Sequence, residues 1–160
     1  MKTFTPLRAL ALIPVLWLCS THPVSLASRS LPFEPVVDTQ IFDLMYNRKI
    51  RPLDVLFTSD VQYQLFFGHA APGVDWSRDW VALYSAGQVP TGGFWASTRS
   101  IEPSPATGDL SITTSLKIPG PGCIVTMALE TPYMLVKFPI PSPAPTSTTF
   151  HHLYVVEDCP

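Results

Sequence analysis

Leu110–Ile118, which reads LSITTSLKI, is the stretch that decides the fold of this 160-residue chain. Its even-numbered positions carry leucine, isoleucine or threonine, and its odd-numbered positions carry serine, threonine or lysine. Successive side chains on a β-strand point to opposite faces, so this alternation predicts a strand with one face in a core and the other in water.

Further segments with many β-branched and aromatic residues are also typical of strands. They are Val61–Phe67, Trp80–Tyr84, Cys123–Leu129, Tyr133–Phe138 and Phe150–Val156. Glycine- and proline-containing turns separate them, and no helical pattern lies between them. This spacing indicates antiparallel pairing through loops, and it predicts an all-β, Ig-like antiparallel β-sandwich over residues 53–160.

The first 27 residues have the pattern of a secretory signal peptide. Two basic residues precede the apolar run Ala9–Cys19, which is shorter than the roughly 20 residues of a membrane-spanning helix. Small residues then place the expected cleavage after Ala27, with a cut near Ser20 as the second choice. The alternative is an uncleaved anchor. A secreted, extracellular protein without a stable membrane span is therefore expected.

Residues 28–52, which follow the expected cleavage site, are predicted to be an irregular lead-in, because Pro32 and Pro35 oppose regular structure. One short helix is expected inside it, over Thr39–Arg48. Asp38 is positioned to cap the start of that helix.

The charge of the chain argues against a nucleic-acid partner. Once the leader is removed with Lys2 and Arg8, 8 basic residues stand against 12 acidic ones. Basic residues cluster only at Arg48–Lys49 and Arg51, which is too few to attract a phosphate backbone.

Cysteine content predicts one disulfide. Cys19 belongs to the leader, so Cys123 and Cys159 remain, and two cysteines in an oxidising compartment most simply form an internal bridge. The alternative is that Cys159, next to the last residue, pairs between chains.

No metal or cofactor is expected. His151 and His152 lie near two acidic residues, but neighbouring residues on a strand point to opposite faces, and no zinc-site spacing is present. An exposed edge strand is the simpler interpretation of this segment.

No catalytic residue is predicted. His69, Asp75, Asp79 and Ser85 are the residue types used in nucleophilic catalysis, but Ser85 lacks the preceding glycine of a nucleophile elbow. Asp75 and Asp79 are better interpreted as holding a turn through local backbone N–H groups.

Four aromatic residues are candidates for ligand binding: Trp76, Tyr84, Phe94 and Trp95. Trp76 and Trp95 are expected in loops beside glycines, where an exposed ring can stack on a sugar or anchor a protein. The alternative is that these aromatics cap the open end of the sandwich, since large aromatic side chains are mostly buried.

Pro72–Ser85, which reads PGVDWSRDWVALYS, resembles a strand of the Ig-like SKICH domains and of the fibronectin-like N-terminal domain of plant purple acid phosphatases. Gly108–Ile118 followed by Gly122–Leu129 is similar in order to the later strands of SKICH domains. The resemblance spans residues 53–140 and implies an Ig-like sandwich used for attachment or support. The phosphatase metal ligands lie in a separate domain, so the resemblance implies no catalytic residue here.

These observations favour a secreted, non-catalytic binding module with a protein or glycan partner outside the cell. A small secreted enzyme, or a β-barrel-like protein that sequesters a ligand in an internal cavity, is the alternative, and it rests on the apolar content and on His69 lying close to acidic residues. A secreted factor that acts on a neighbouring cell is a third hypothesis. The sequence leaves the oligomeric state open.

Overall fold

A computed structural model describes residues 30–41, 45, 51–104 and 106–159. The predicted signal peptide lies outside these residues, as does most of the predicted Thr39–Arg48 helix. The strands are β1 (Glu34–Pro35), β2 (Leu53–Phe57), β3 (Asp79–Ser85), β4 (Trp95–Ser104), β5 (Asp109–Pro119), β6 (Tyr133–Pro139) and β7 (Ser147–Glu157), and a helix spans Asp60–Phe67.

The strands form two sheets, one of four strands in the order β1-β6-β3-β2 and one of three in the order β4-β5-β7. The predicted all-β sandwich is confirmed. One pairing differs from the antiparallel expectation, because β5 and β7 run parallel over eleven residue pairs. Between them the chain crosses to the other sheet to form β6, and it then returns in the direction of β5.

The inner faces of the two sheets make one apolar core. The alternating residues of the Leu110–Ile118 stretch lie there as predicted, with Leu110 and Ile112 fully buried. Ala82, Tyr84 and Phe138 meet them from the four-stranded sheet.

The other face of the four-stranded sheet makes a second core. Val81 and Leu83 pack there with Phe57, Tyr63 and Phe67. Strand β3 is therefore buried on both faces. The molecule has three layers: a three-stranded sheet, a four-stranded sheet and a helical layer.

The lead-in contributes to both cores. Residues 39–41 and 45 are helical, and the Asp38 carboxylate accepts a hydrogen bond from the Gln40 N–H at 3.0 Å, which is the predicted capping contact. Ile41 and Met45 are buried in the second core, and Leu31 packs against the first.

The prediction of a strand at Val61–Phe67 is wrong, because this segment belongs to the helix Asp60–Phe67. Tyr63 and Phe67 lie one helical turn apart and are both buried, which satisfies helical spacing as well as alternation. The Ser59 hydroxyl accepts from the Gln62 N–H at the helix start. Gly68 ends the helix with a φ of 86°, a left-handed conformation that favours glycine.

Two further predictions are corrected. Cys123–Leu129 is a loop and not a strand. Cys123 forms a disulfide with Cys159, and the Thr126 carbonyl accepts a hydrogen bond from the Gly92 N–H at 2.9 Å. Trp95, expected in a loop, is the first residue of β4. The sequence pattern does not predict β4. Few of its residues are apolar, and a bulge between Thr98 and Ser100 breaks the alternation of inward and outward side chains.

The other strand predictions are confirmed. Trp80–Tyr84 lies within β3, Leu110–Ile118 within β5, Tyr133–Phe138 within β6 and Phe150–Val156 within β7.

Candidate functional site

Trp76, a predicted binding residue, packs into the second core. Its ring centroid lies 6.0 Å from that of Tyr63, and its Nε1 donates to the Asp60 carboxylate at 3.1 Å. The ring is partly buried against this core.

Tyr84 and Phe94 both contact the core between the sheets. Tyr84 is 4 % exposed, and its ring stacks on the His152 imidazole with centroids 4.7 Å apart. Phe94 is partly buried against the same core. Both side chains therefore contribute to this core.

Trp95 is the predicted binding residue that faces water, with 67 % of its surface exposed. Strand register places it beside Lys117, and Lys117 beside Val155, on the outer face of the three-stranded sheet. Leu153 lies one row further along that face, opposite Ser115. Trp95 thus shares a sheet surface with exposed aliphatic side chains of β7.

Exposed apolar side chains gather at the end of the sandwich where β4 begins and β5 and β7 finish. Eight of the eleven exposed large apolar residues of the described chain lie there. We call this set the apolar end; it comprises Trp95, Ile124, Met127, Leu129, Leu153, Tyr154, Val155 and Val156. These residues face several sides of this end, and exposed apolar residues that gather in one region of a domain mark an interaction site more often than scattered ones do.

The loop that carries Ile124, Met127 and Leu129 is fastened at several points. Cys123 forms a disulfide with Cys159, as predicted, with the two Cα atoms 4.9 Å apart. The Gly120 N–H donates to the Glu157 carbonyl at 3.1 Å. A β-bridge between Val89 and Glu130 holds the other side of the loop. These contacts hold the backbone of the loop against the body of the domain.

Gly92 allows the loop to lie this close to the chain segment before β4. A Cβ atom at Gly92 would collide with the hydroxyl of Thr126 and would lie 2.8 Å from the Glu130 carboxylate. Any larger residue at position 92 would force the Thr126 and Glu130 side chains to move.

A cleft of about 380 Å³ opens beside the apolar end, between the edge strands β2 and β7 of the two sheets. It is lined by Pro52, Leu53, Asp54, Tyr84, Ser85, Ala86, Leu116, His152 and Tyr154. Burial, then the Tyr154 hydroxyl and the Asp54 carboxylate, raise the pKa of Tyr84 to about 12, so its hydroxyl is neutral at physiological pH.

A chain of hydrogen bonds crosses the wall of this cleft. His152 Nε2 lies 3.0 Å from the Asp54 carboxylate, and His152 Nδ1 lies 2.7 Å from the Thr114 hydroxyl. The order hydroxyl, imidazole, carboxylate is that of nucleophilic hydrolases. Thr114 is 0 % exposed, however, so its hydroxyl cannot reach a substrate. The chain of bonds joins β2 of one sheet to β7 and β5 of the other.

His69 belongs to a second polar cluster, on the opposite face of the four-stranded sheet. Its Nε2 lies 2.6 Å from the Asp38 carboxylate, which also accepts from the Tyr63 hydroxyl at 2.7 Å. Burial alone would raise the pKa of Asp38, but the hydrogen bonds from Tyr63, His69 and the Gln40 N–H outweigh it and lower that pKa below 3.8. The cluster binds the lead-in to the helical layer.

The other residues weighed for catalysis do not join His69. Asp75 accepts from both the N–H and the hydroxyl of Ser77, and these bonds lower its pKa. This is the turn-holding role that the sequence indicated for Asp75. Ser85 is fully buried, and its hydroxyl accepts from the Gly87 N–H at 3.2 Å.

Within the described residues, no group of three or more histidine, cysteine or acidic side chains is placed to hold a metal ion. His151 is exposed on the outer face of β7, and His152 is engaged by Asp54 and Thr114. No helix in the described part of the chain has the length and hydropathy needed to cross a membrane.

One comparison with known proteins gives a match. The family described as PrcB C-terminal matches residues 81–139, a little over a third of the chain. This segment runs from β3 through β6 and includes Trp95 and the fastened loop, whereas β7 lies beyond it. No curated protein and no solved structure matches the chain. The central strands are thus similar to a PrcB C-terminal domain.

The main surface feature, the apolar end, was not found from the sequence. Its residues come from β4, the loop after β5, and β7, which are far apart along the chain and meet only through strand register. The available signal was the run Leu153–Val156, four consecutive apolar residues that cannot all face a core from one strand.

Proposed function

We propose that this chain is a secreted, non-catalytic module that binds a protein partner outside the cell through the apolar end. The observation that carries the proposal is the clustering of eight exposed apolar residues at one end of the sandwich. Burying such a surface against a partner is favourable by about 25 cal/mol per Å² of apolar area.

A protein suits this surface better than a glycan does. Sugar recognition relies on flat aromatic rings beside hydrogen-bonding groups, and only Trp95 and Tyr154 supply rings here. The remaining members are aliphatic or methionine, the side chains that fill the centre of protein interfaces. Met127, which is 89 % exposed, adapts its shape to irregular surfaces.

The interior gives less support to the alternative of a ligand-sequestering barrel. Apolar side chains fill both layers, and the His69 ring is bonded to Asp38 at the second core. Secretion is supported by the sequence pattern of the leader and by the disulfide, a bond that persists in oxidising compartments.

The proposal is tested with two matched variants of the full chain. The first replaces Trp95, Met127 and Leu153 by serine, and the control replaces by serine Val37, Val61 and Leu65, which are also exposed but lie elsewhere. Each is secreted from cells of the source organism and used to capture extracellular proteins. We expect one protein to bind the native chain and the control, and to be lost from the first variant.

Two results would contradict this proposal. Equal capture by all three chains would show that the apolar end does not bind the partner. Specific binding to a glycan array would show that the partner is a glycan and not a protein. Secretion is tested separately by sequencing the N-terminus of the protein in the medium, which we expect to begin at Ser28.

A further inference from the structure

Strand β7 presents an edge that nothing in its sequence protects. It is eleven residues long, pairs with β5 on one side without a bulge, and pairs with none of the described strands on the other. It contains no proline, and its only formally charged residue is Glu157 at its last position. Natural proteins usually guard such an edge with a charge, a proline, a bulge or a short strand, because it invites pairing with another chain.

The other sheet edges in the described chain carry those guards. Strand β4 has a bulge beside Arg99, and it also contains Glu102 and Pro103. Strand β2 has five residues, of which Asp54 is one, and β1 has two, one of them Pro35. Only β7 combines length, regular pairing and an uncharged edge.

The second half of β7 is exposed on both faces. Register with β5 places Leu153 and Val155 on the outer face of the sheet, and Tyr154 and Val156 on the inner face. All four are exposed, since the cleft between β2 and β7 opens beside Tyr154. A strand added along this edge would meet apolar side chains on both of its faces.

We propose that an extended, uncharged segment of the partner protein pairs with the free edge of β7 along Leu153–Val156 and continues the three-stranded sheet. This inference rests on the proposed function and names the form of the partner's contact. Backbone N–H and C=O groups of β7 supply the pairing, which is β-strand addition. Side chains on the inner face of the added strand point toward the cleft between β2 and β7, whose 380 Å³ accommodates one large apolar side chain beside His152.

A second copy of this chain fits the edge poorly. A two-fold antiparallel pairing centred on His152 would place Thr148 opposite Val156 and Thr149 opposite Val155, which leaves the valines beside polar threonine. A pairing centred on Val155 sets Tyr154 opposite Val156 but places Leu153 opposite Glu157, and it reduces the strand overlap to five residues, 153–157. The edge is therefore complementary to a different sequence, one that is apolar along its whole contact.

The test uses the full secreted chain and a library of random linear peptides displayed on phage. We expect selected peptides to lose at least tenfold in affinity for Leu153→Lys and Val155→Lys chains, because each lysine places a charge beside the added strand. The controls are His151→Lys, on the same strand but in its polar half, and Val61→Lys, on the helix. Both should bind within about twofold of the native chain.

Backbone pairing is then tested by methylating the amide nitrogens of a bound peptide one at a time. Only every second amide of an added strand faces β7, so affinity should fall about tenfold or more at alternate positions and stay nearly constant between them. A response without this period of two would overturn strand pairing.

The outcomes separate this inference from the proposed function. Some peptides could fail to bind the Trp95, Met127 and Leu153 serine variant and yet show no alternating response to methylation. That result would support the proposed binding function and contradict strand addition. Failure of the library to yield any peptide sensitive to the lysine changes would also overturn the inference. If the native chain self-associates and Val155→Lys abolishes this association, the edge of β7 pairs with a second copy of the chain and not with a partner segment.

Discussion

The Tyr63 hydroxyl donates a hydrogen bond of 2.7 Å to the Asp38 carboxylate, and the Asp38 side chain is only 3 % exposed. The same carboxylate is 2.6 Å from His69 Nε2, while His69 Nδ1 lies 3.2 Å from the Phe67 carbonyl oxygen. Both imidazole nitrogens thus lie within hydrogen-bond distance of an oxygen, one of Asp38 and one of Phe67. The lead-in is held to the helical layer by a charge-assisted cluster.

Acid should weaken the molecule through Asp38. Its pKa in the folded chain lies below the usual 3.8, so its contribution to stability is complete above that value and is lost as the pH falls through the folded pKa. At neutral pH we expect Asp38→Asn to lower the free energy of unfolding by about 1.5–3 kcal/mol, the range for hydrogen bonds to a charged group. Urea unfolding of both chains at neutral pH and well below pH 3.8 should show this difference shrinking in acid. A constant difference would contradict it.

Replacement of Tyr63 by phenylalanine should isolate its hydroxyl. The ring would keep its contacts with Phe67, at 4.6 Å between centroids, and with Phe57, at 5.3 Å, while a buried carboxylate would lose one donor. We expect a loss of about 1.5–3 kcal/mol for Tyr63→Phe and a greater loss, about 3–5 kcal/mol, for Tyr63→Ala.

A double-mutant cycle joins these two predictions. Tyr63→Phe should cost much less in the Asp38→Asn background, because the hydrogen-bonded carboxylate is already gone. Additive costs, measured by urea unfolding, would show that Tyr63 acts through packing alone.

A strand with one face in the core and the other in water could be predicted from the sequence. The alternation of Leu110–Ile118 arises because one face of β5 is in the core, and a strand buried on one face has a clear period of two. The Asp60–Phe67 helix was mistaken for a strand because eight residues fit both periods. Its Ser59 and Gly68 caps were signals that could have identified it.

Contacts between residues far apart along the chain could not be predicted from the sequence. Asp54 and His152 are 98 positions apart, and no local pattern links them. The parallel pairing of β5 and β7 has no sequence signature of its own, yet it decides that Val155 lies near Lys117 and, through β4, near Trp95. The candidate surface therefore required the topology, although Trp95 itself was among the candidate ligand-binding residues.

Loss of the Cys123–Cys159 bond should loosen the apolar end. The residues are 36 positions apart, and closing a loop of that size stabilises a fold by about 3–4 kcal/mol on the chain-entropy argument. We expect the Cys123→Ser, Cys159→Ser chain to have a lower Tm, and its amides in residues 120–130 to exchange faster with deuterium. A thiol reductant should lower the Tm of the native chain to that of the variant and leave the variant unchanged. A native chain that runs as a dimer on a non-reducing gel would instead indicate a bond between chains.

The stacking of His152 on Tyr84 should be visible in alkaline titration. The pKa of Tyr84 is raised from 10.0 to about 12 by burial and by the nearby Tyr154 and Asp54. Because the folded value exceeds the unfolded one, the contribution of Tyr84 to stability is complete below about pH 10 and is lost as the pH rises through about 12. His152→Ala removes the ring that covers one face of Tyr84 and the bond that joins β7 to Asp54.

The resulting change can be assigned to one residue. In His152→Ala we expect one tyrosine to ionise at lower pH than in the native chain, measured by the ultraviolet absorbance of tyrosinate, and we expect Tyr84→Phe to remove that step. His151→Ala is the matched control, since His151 is the exposed neighbour on the opposite face of β7 and should leave the titration unchanged. Equal titration of His152→Ala and His151→Ala would show that the His152 imidazole does not shield Tyr84 from the solvent in the cleft between β2 and β7.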